Sequence, residues 1–173
     1  MTSSVQVRPA TGGDLEPMLA LAAQSRRDHA VHQPRFWRPA PDAVARQRPF
    51  FASLVEDADV LTLVATREAR VVGFVVATTL PAPPVYDPGG PTCLVDDFAV
   101  EQAEDWGTVG AVLLQAVRAW AGAQGAVQVV VVSAHLDQGK RAALAAAGLT
   151  IASEWWVGEA PDQPSSRAAD DPR

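Results

Sequence analysis

Cysteine is nearly absent: Cys93 stands alone in 173 residues, which excludes an internal disulfide and fits a reducing compartment. Basic side chains are in the minority, with 14 Lys and Arg against 20 Asp and Glu, a net charge of −6 and a pI of about 4.9. Proteins that hold nucleic acid draw most of their affinity from cations on phosphates, so this balance argues against a nucleic-acid partner. Long apolar runs are missing too. The longest strongly apolar stretch, Ala126–Val132, already contains Gln128 and is far too short to cross a bilayer. Residues Met1 to Arg8 lack the basic stretch and apolar region of a leader, so neither a signal peptide nor a membrane anchor is expected, and the expected location is cytoplasmic. Histidines and cysteines do not cluster. His29 and His32 are close in sequence but have no further ligands around them, so no metal site is expected. Tyrosine is represented by Tyr86 alone. No internal repeat is present.

What remains is a globular composition, 48% hydrophobic and 20% charged. The length fits one domain with a core of its own, without staples or metals. That domain is expected over residues 1–158, and the polar, Pro-containing stretch 159–173 is expected to be a disordered tail. The acidic surface has two readings, attraction for a cationic amine or ordinary solubility.

Along the chain, Val5–Arg8 alternates and predicts a first strand. Thr11, Gly12, Gly13 and Asp14 offer caps for a helix whose apolar face is Leu15, Met18, Leu19 and Ala22, with Pro17 in its first turns. Arg26 to Ala40 shows no clean period and predicts a loop or broken helix. Asp42 to Glu56 predicts a second helix, broken or kinked at Pro49. Val60–Thr66 and Arg70–Leu80, rich in Val and Thr, predict an antiparallel hairpin. Pro81 to Pro91 is a Pro-rich loop. Cys93–Val100 predicts a strand carrying the polar pair Asp96–Asp97, Gly107–Ala123 a helix, and Ala126–Val132 a strand covered on both faces. Asp137–Ala147 predicts a short helix stopped by Gly148, and Thr150–Val157 a last strand. The result is an α/β fold: a mixed, mostly antiparallel sheet of about six to seven strands with a central parallel pair, flanked by helices.

Ligands in open α/β sheets bind beyond the carboxyl ends of parallel strands, which points at Phe98 to Ala111. There a strand leads into a helix N-terminus. Free amides of the first helical turn attract anions, and Gly107 and Gly110 permit close approach. A simple tight connection is the competing reading of the same glycines.

The element order, together with Val95-Asp96-Asp97-Phe98-Ala99-Val100 and then Gly107-Thr108-Val109-Gly110-Ala111-Val112-Leu113-Leu114, resembles the GNAT superfamily of general-control-related N-acetyltransferases. The resemblance runs from Val5 to Val157, and Ala147-Gly148-Leu149 looks like the family's closing step after its short last helix. It implies acetyl-CoA as cosubstrate, with no metal. Backbone groups of Phe98, Ala99 and Val100 would hold the pantetheine arm in a gap beside strand 126–132. The stretch Asp105, Trp106, Gly107, Thr108, Val109, Gly110 and Ala111 would hold the pyrophosphate. A primary amine would attack the thioester directly, its source a small molecule, a peptide N-terminus or a lysine, with the protein a monomer or homodimer. Two positions depart from the family's turn: Asp105 stands at its Arg/Gln and Thr108 at its first glycine. The family's acid tyrosine in the last helix falls on Leu144.

Candidate catalytic residues are Asp96, Asp97, His135 and Tyr86. Adjacent in a strand, Asp96 and Asp97 point to opposite faces, and one of them is expected near the acceptor amine as general base. The competing reading has one of them in a cap or ion pair and the other solvated. His135 follows strand 126–132 and titrates near neutrality, as a proton carrier or as a loop histidine bonding backbone. Tyr86 or His135 is a candidate to replace the missing acid. Asp137 reads as an N-cap. Lys140 and Arg141 read as a solvated helix face or as contacts to a cofactor phosphate. His29, His32, Arg35, Trp37, Tyr86, Trp155 and Trp156 would shape the acceptor pocket, with one tryptophan of the last pair in the core. Cys93 reads as packing. The alternative to an active enzyme is a catalytically degenerate acyl-CoA-binding or regulatory module of the same fold.

Overall fold

The structure is a computed structural model describing residues 4–82 and 84–160. Five strands follow one another in space in chain order: β1 (Gln6–Pro9), β2 (Val60–Arg67), β3 (Arg70–Leu80), β4 (Thr92–Val100) and β5 (Gln128–Val131). The first three pairings are antiparallel and β4–β5 is parallel. The crossover between β4 and β5 is α3 (Val109–Ala123), preceded by a 3₁₀ turn at Ala103–Gly107. The remaining helices are α1 (Leu15–His32), α2 (Ala43–Glu56) and α4 (Gln138–Ala146).

Alternation in the central strands divides the core between the two faces of the sheet. Val72, Val75 and Ala77 of β3 face α3, where Val109, Leu113 and Val117 are fully buried. Phe74 and Val76 of the same strand face α1 and α2, against Met18, Leu19, Ala22 and Phe51. The absence of a Cβ at Gly73 brings α3 down on β3, since a methyl there would meet Val109 Cγ1 at 2.8 Å. Strands β2 and β3 are therefore Val-rich and buried on both faces, with Thr62 and Thr66 buried among the apolar residues.

The structure corrects the expected architecture at three places. Among the described residues the sheet has five strands, not six to seven, because Thr150–Val157 forms no strand. Those residues are exposed, and Trp155 and Trp156, at 80% and 89% exposure, both lie outside the core. Trp155 instead meets Phe36 edge-on with ring centroids 5.8 Å apart, and Glu159 pairs with Arg35. Second, Arg26 to His32 is not loop but the continuation of α1. Its inward side carries Arg26 and His29 rather than aliphatics, which is why no hydrophobic period marks it. Third, α2 runs from Ala43 to Glu56 with Pro49 inside it, so of the two expected outcomes, a break or a kink, the break does not occur. The expected tail falls mostly on residues 161–173, outside the described residues.

Candidate active site at the β4–β5 gap

Strands β4 and β5 pair from Thr92↔Gln128 to Val95↔Val131, and the last bond between them runs from the Val132 amide to the Val95 carbonyl, 3.0 Å. Beyond it they separate. The separation coincides with a bulge in β4: Val75 pairs with Phe98 and Ala77 with Val95, so Val76 alone faces the two residues Asp96 and Asp97. A bulge bends its strand and re-aims its side chains. This corrects the expectation that the two aspartates point to opposite faces, for both line the same cavity, of about 340 Å³. After the bulge the Glu101 amide bonds the Val72 carbonyl at 2.9 Å, so by alternation the backbone groups of Phe98 and Val100 turn away from β3 into the gap.

The cavity opens on the α1 side of the sheet. Arg26 and His29 from α1, Trp37 from the α1–α2 connection, Asp96 and Asp97 from the bulge, and Lys140 from α4 line it. Arg26 is held by Gln47 of α2 through one terminal nitrogen, while its buried Nη2 has no partner. His29 lies tilted against Trp37 with ring centroids 4.8 Å apart, and burial lowers its pKa. Asp97 makes no ion pair among the described residues. Burial, and then the charge of Asp96, push its carboxyl up to about 6, against the pull of Lys140 and Arg26. A larger cavity, of about 540 Å³, lies between α1 and residues 39–48. Its one carboxylate, Asp42, is tied to Arg46 at 2.7 Å, so it offers no free acid or base.

Lys140 was read from the sequence as a solvated helix face or a contact to a cofactor phosphate, and not as a wall of this cavity. It is 3% exposed, not on a solvated face. Its Nζ donates to the Phe98 carbonyl at 3.2 Å and lies 5.2 Å from the ring centres of both Phe98 and Trp106. Burial lowers its pKa to about 8, against the raising effect of Asp137, Asp97 and Asp96. The signal was present: Lys140 shares a helical stripe with Ala143, Leu144 and Ala147, which pack on the core. Asp137 caps this helix, accepting from the Lys140 amide at 3.0 Å, as its position implied.

The turn leading into α3 differs from an open amide-lined loop. Ala103–Gly107 is a 3₁₀ turn whose interior is filled by the indole of Trp106, 7% exposed and edge-on to Phe98 at 4.8 Å. Gly110 and Gly139 make room for that indole: a Cβ on Gly110 would meet Trp106 Cε3 at 2.6 Å, and one on Gly139 would meet Trp106 Cδ1 at 3.0 Å. The Thr108 amide already bonds Asp105, and the first amide of α3 reaching back to a carbonyl is that of Val112, to Thr108 at 3.1 Å. The amides of Val109, Gly110 and Ala111 form the free first turn. The two sequence departures are accommodated. The Asp105 carboxylate is paired with Arg67 at 2.9 Å, and Thr108 has φ −120°, so no glycine is required there.

Of the remaining candidates, Tyr86 is 72% exposed in its loop and does not line the cavity. His135 is exposed, and its carbonyl accepts from Arg141 at 2.9 Å; its ring is not among the cavity's walls. Phe98 and Ala99 line the cavity, while Asp105 to Ala111 do not. Cys93 is buried, and burial pushes its thiol up, as a packing role requires. No group of His, Cys, Asp and Glu among the described residues could hold a metal ion, and no helix among them is long and apolar enough to cross a membrane.

A mixed sheet that parts between a bulged β4 and a parallel β5, with a helix N-terminus beside the gap, defines the GNAT N-acyltransferase fold. The chain has that fold. It superposes on a protein of Clostridium acetobutylicum described as a predicted acetyltransferase and solved with acetyl-CoA, with TM-score 0.69 and 13% identity over 90% of this chain and 96% of that one. A GCN5-related N-acetyltransferase of Ralstonia eutropha gives TM-score 0.67 and 13% identity over 90% and 99% of the two chains. An aminoglycoside antibiotic 6'-N-acetyltransferase of Acinetobacter baumannii gives 0.69 and 16% over 92% and 100%. No sequence-family profile matches the chain, and no curated protein matches it by sequence.

Proposed function

We propose that this chain is an acetyl-CoA-dependent N-acetyltransferase acting in the cytoplasm, with residues 1–158 as one catalytic domain. The observation that carries the reading is the parting of β4 and β5 after Val95, which leaves Phe98 and Ala99 bordering a cavity with a bulge-borne carboxylate. The pantetheine arm of acetyl-CoA would lie along that edge. Its amide would take over the Phe98 carbonyl, and Lys140 would withdraw. The free amides of Val109 to Ala111, with the dipole of α3 behind them, would receive the pyrophosphate.

Asp97 would serve as general base. A carboxyl with a pKa of about 6 is mostly ionised at pH 7 and is basic enough to take a proton from an amine as the new C–N bond forms. The C–S bond then breaks and the thiolate departs. Holding the amine and the thioester together supplies much of the acceleration.

Lys140 and Trp106 favour a second reading, a module that keeps the fold without turnover, because the Lys140 ammonium occupies the carbonyl the cofactor needs. An assay that follows free thiol from acetyl-CoA across a panel of amines separates the two. The proposal expects release with at least one amine, and a drop of about 100-fold in Asp97→Asn, the lower end of what general-base catalysis contributes. No release with any amine, together with unimpaired acetyl-CoA binding, favours the module.

A further inference from the structure

The charges on the cavity walls are arranged for an acceptor that carries both signs. Among the described residues, Arg26 on the α1 wall bonds Gln47 through Nη1 and has no partner at Nη2, and Asp97 on the β4 wall has no hydrogen bond or ion pair. Each perturbs the other's titration through space, so they are near enough to feel one another, yet they form no ion pair. Two half-buried opposite charges that share one cavity without pairing, the guanidinium bonded only to the neutral Gln47 side chain, leave room for a ligand that pairs with both. Lys140 does not take that place from the protein side, since its ammonium is bonded to the Phe98 carbonyl and covered by two rings.

We infer that the acceptor is a free α-amino acid or a close zwitterionic analogue, its carboxylate on Arg26 and its amine at Asp97. This inference rests on the acyl-transfer reading above and gives it a substrate class. The amine and carboxylate of an α-amino acid are separated by one carbon, so a small zwitterion bridges facing charges that do not touch. A volume of about 340 Å³ admits such a molecule with a side chain of moderate size against Trp37. A simple amine would satisfy Asp97 but leave the guanidinium unpaired. That penalty is what makes a site built for a polar group reject the analogue lacking it.

The test measures thiol release from acetyl-CoA with L-leucine, L-phenylalanine, L-methionine and L-glutamine, each beside its carboxamide and its decarboxylated amine. Wild type is expected to prefer the acid by about 10- to 100-fold in kcat/KM, the span of one charge-assisted hydrogen bond. Arg26→Met is expected to bring the acid-to-amide ratio close to one, while Arg26→Lys, which keeps the charge, retains most of the preference and controls for folding. Equal or better rates with the carboxamides or bare amines in wild type overturn the zwitterion inference and leave acyl transfer standing. Absence of thiol release with every compound in the panel removes the acyl-transfer reading and this inference with it.

Discussion

Asp97 sits where catalysis and stability pull against each other. Its folded pKa, about 6, lies above the ordinary value of 3.8, so the charged form is the disfavoured one. Its contribution to stability is therefore fully present below about pH 4 and lost as pH rises through about 6. Discounted for the solvent that reaches a half-buried group, the loss is about 1–2 kcal/mol. Asp97→Asn is expected to be more stable than wild type at pH 7.5 by that amount in urea melts, and to match it near pH 4. The same substitution should erase the rise in kcat/KM with an apparent pKa near 6 that the wild type is expected to show. Asp14 has the opposite sign. Two bonds of 2.8 Å from Arg8, with the Thr11 amide and hydroxyl also at 2.8 Å, hold its carboxylate at about 2. Its stabilisation is present above about pH 4 and lost as pH falls toward 2, and Asp14→Ala is expected to cost about 2 kcal/mol at pH 7 while flattening the acid limb. Among single residues, the paired aspartates stood out in the sequence because two charges in an apolar strand demand a reason. Lys140 did not, because a lysine near a helix start is ordinarily solvated and only the core packing of Ala143 and Leu144 places its face inward. Lys140→Ala is expected to bind acetyl-CoA about 10-fold more tightly at pH 7 in calorimetry, since one charged hydrogen bond no longer competes.

Among the elements, those with a strong period were legible and those that depend on distant partners were not. Helix α3 announces itself through Val109, Leu113, Val117 and its buried neighbours, and the β2–β3 hairpin through its runs of Val and Thr. The second half of α1 did not, because its inner face looks into a polar cavity. The segment 150–157 has the composition of a strand, yet strand formation needs a partner edge, and these residues run exposed past β5 toward Phe36. The hairpin itself carries a local strain. Glu68 and Ala69 both have positive φ, 52° and 64°, the pattern of a tight hairpin turn that glycine adopts most easily. Ala69→Gly is expected to stabilise the protein by about 1 kcal/mol, about 2–4 °C in melting temperature for a chain of this size, in a thermal denaturation series. No gain would mean that the turn is relaxed by its surroundings.

At the scale of the whole molecule, two helices on each face of one sheet enclose a double core, and the parallel crossover β4–α3–β5 sets the site. The order of elements carried most of this fold, since alternating strands and helices with a short crossover leave few topologies. The gap was expected from a family resemblance and not from the residues of β5, which continue apolar past the last paired position. The bulge that creates it arises from one extra residue in β4 relative to β3, a register that no local pattern discloses. The packing of Trp106 under Gly110 was likewise hidden, because a glycine that admits a ring and a glycine that admits a phosphate look alike in a sequence.

The account stands most directly on whether the opening between β4 and β5 takes a thioester carrier. Titrating acetyl-CoA into the full chain by calorimetry, with a parallel melting curve, decides it. A saturable one-to-one heat, and a melting temperature that climbs with ligand concentration, are the predicted results. Neither heat nor thermal stabilisation at millimolar acetyl-CoA would contradict the account.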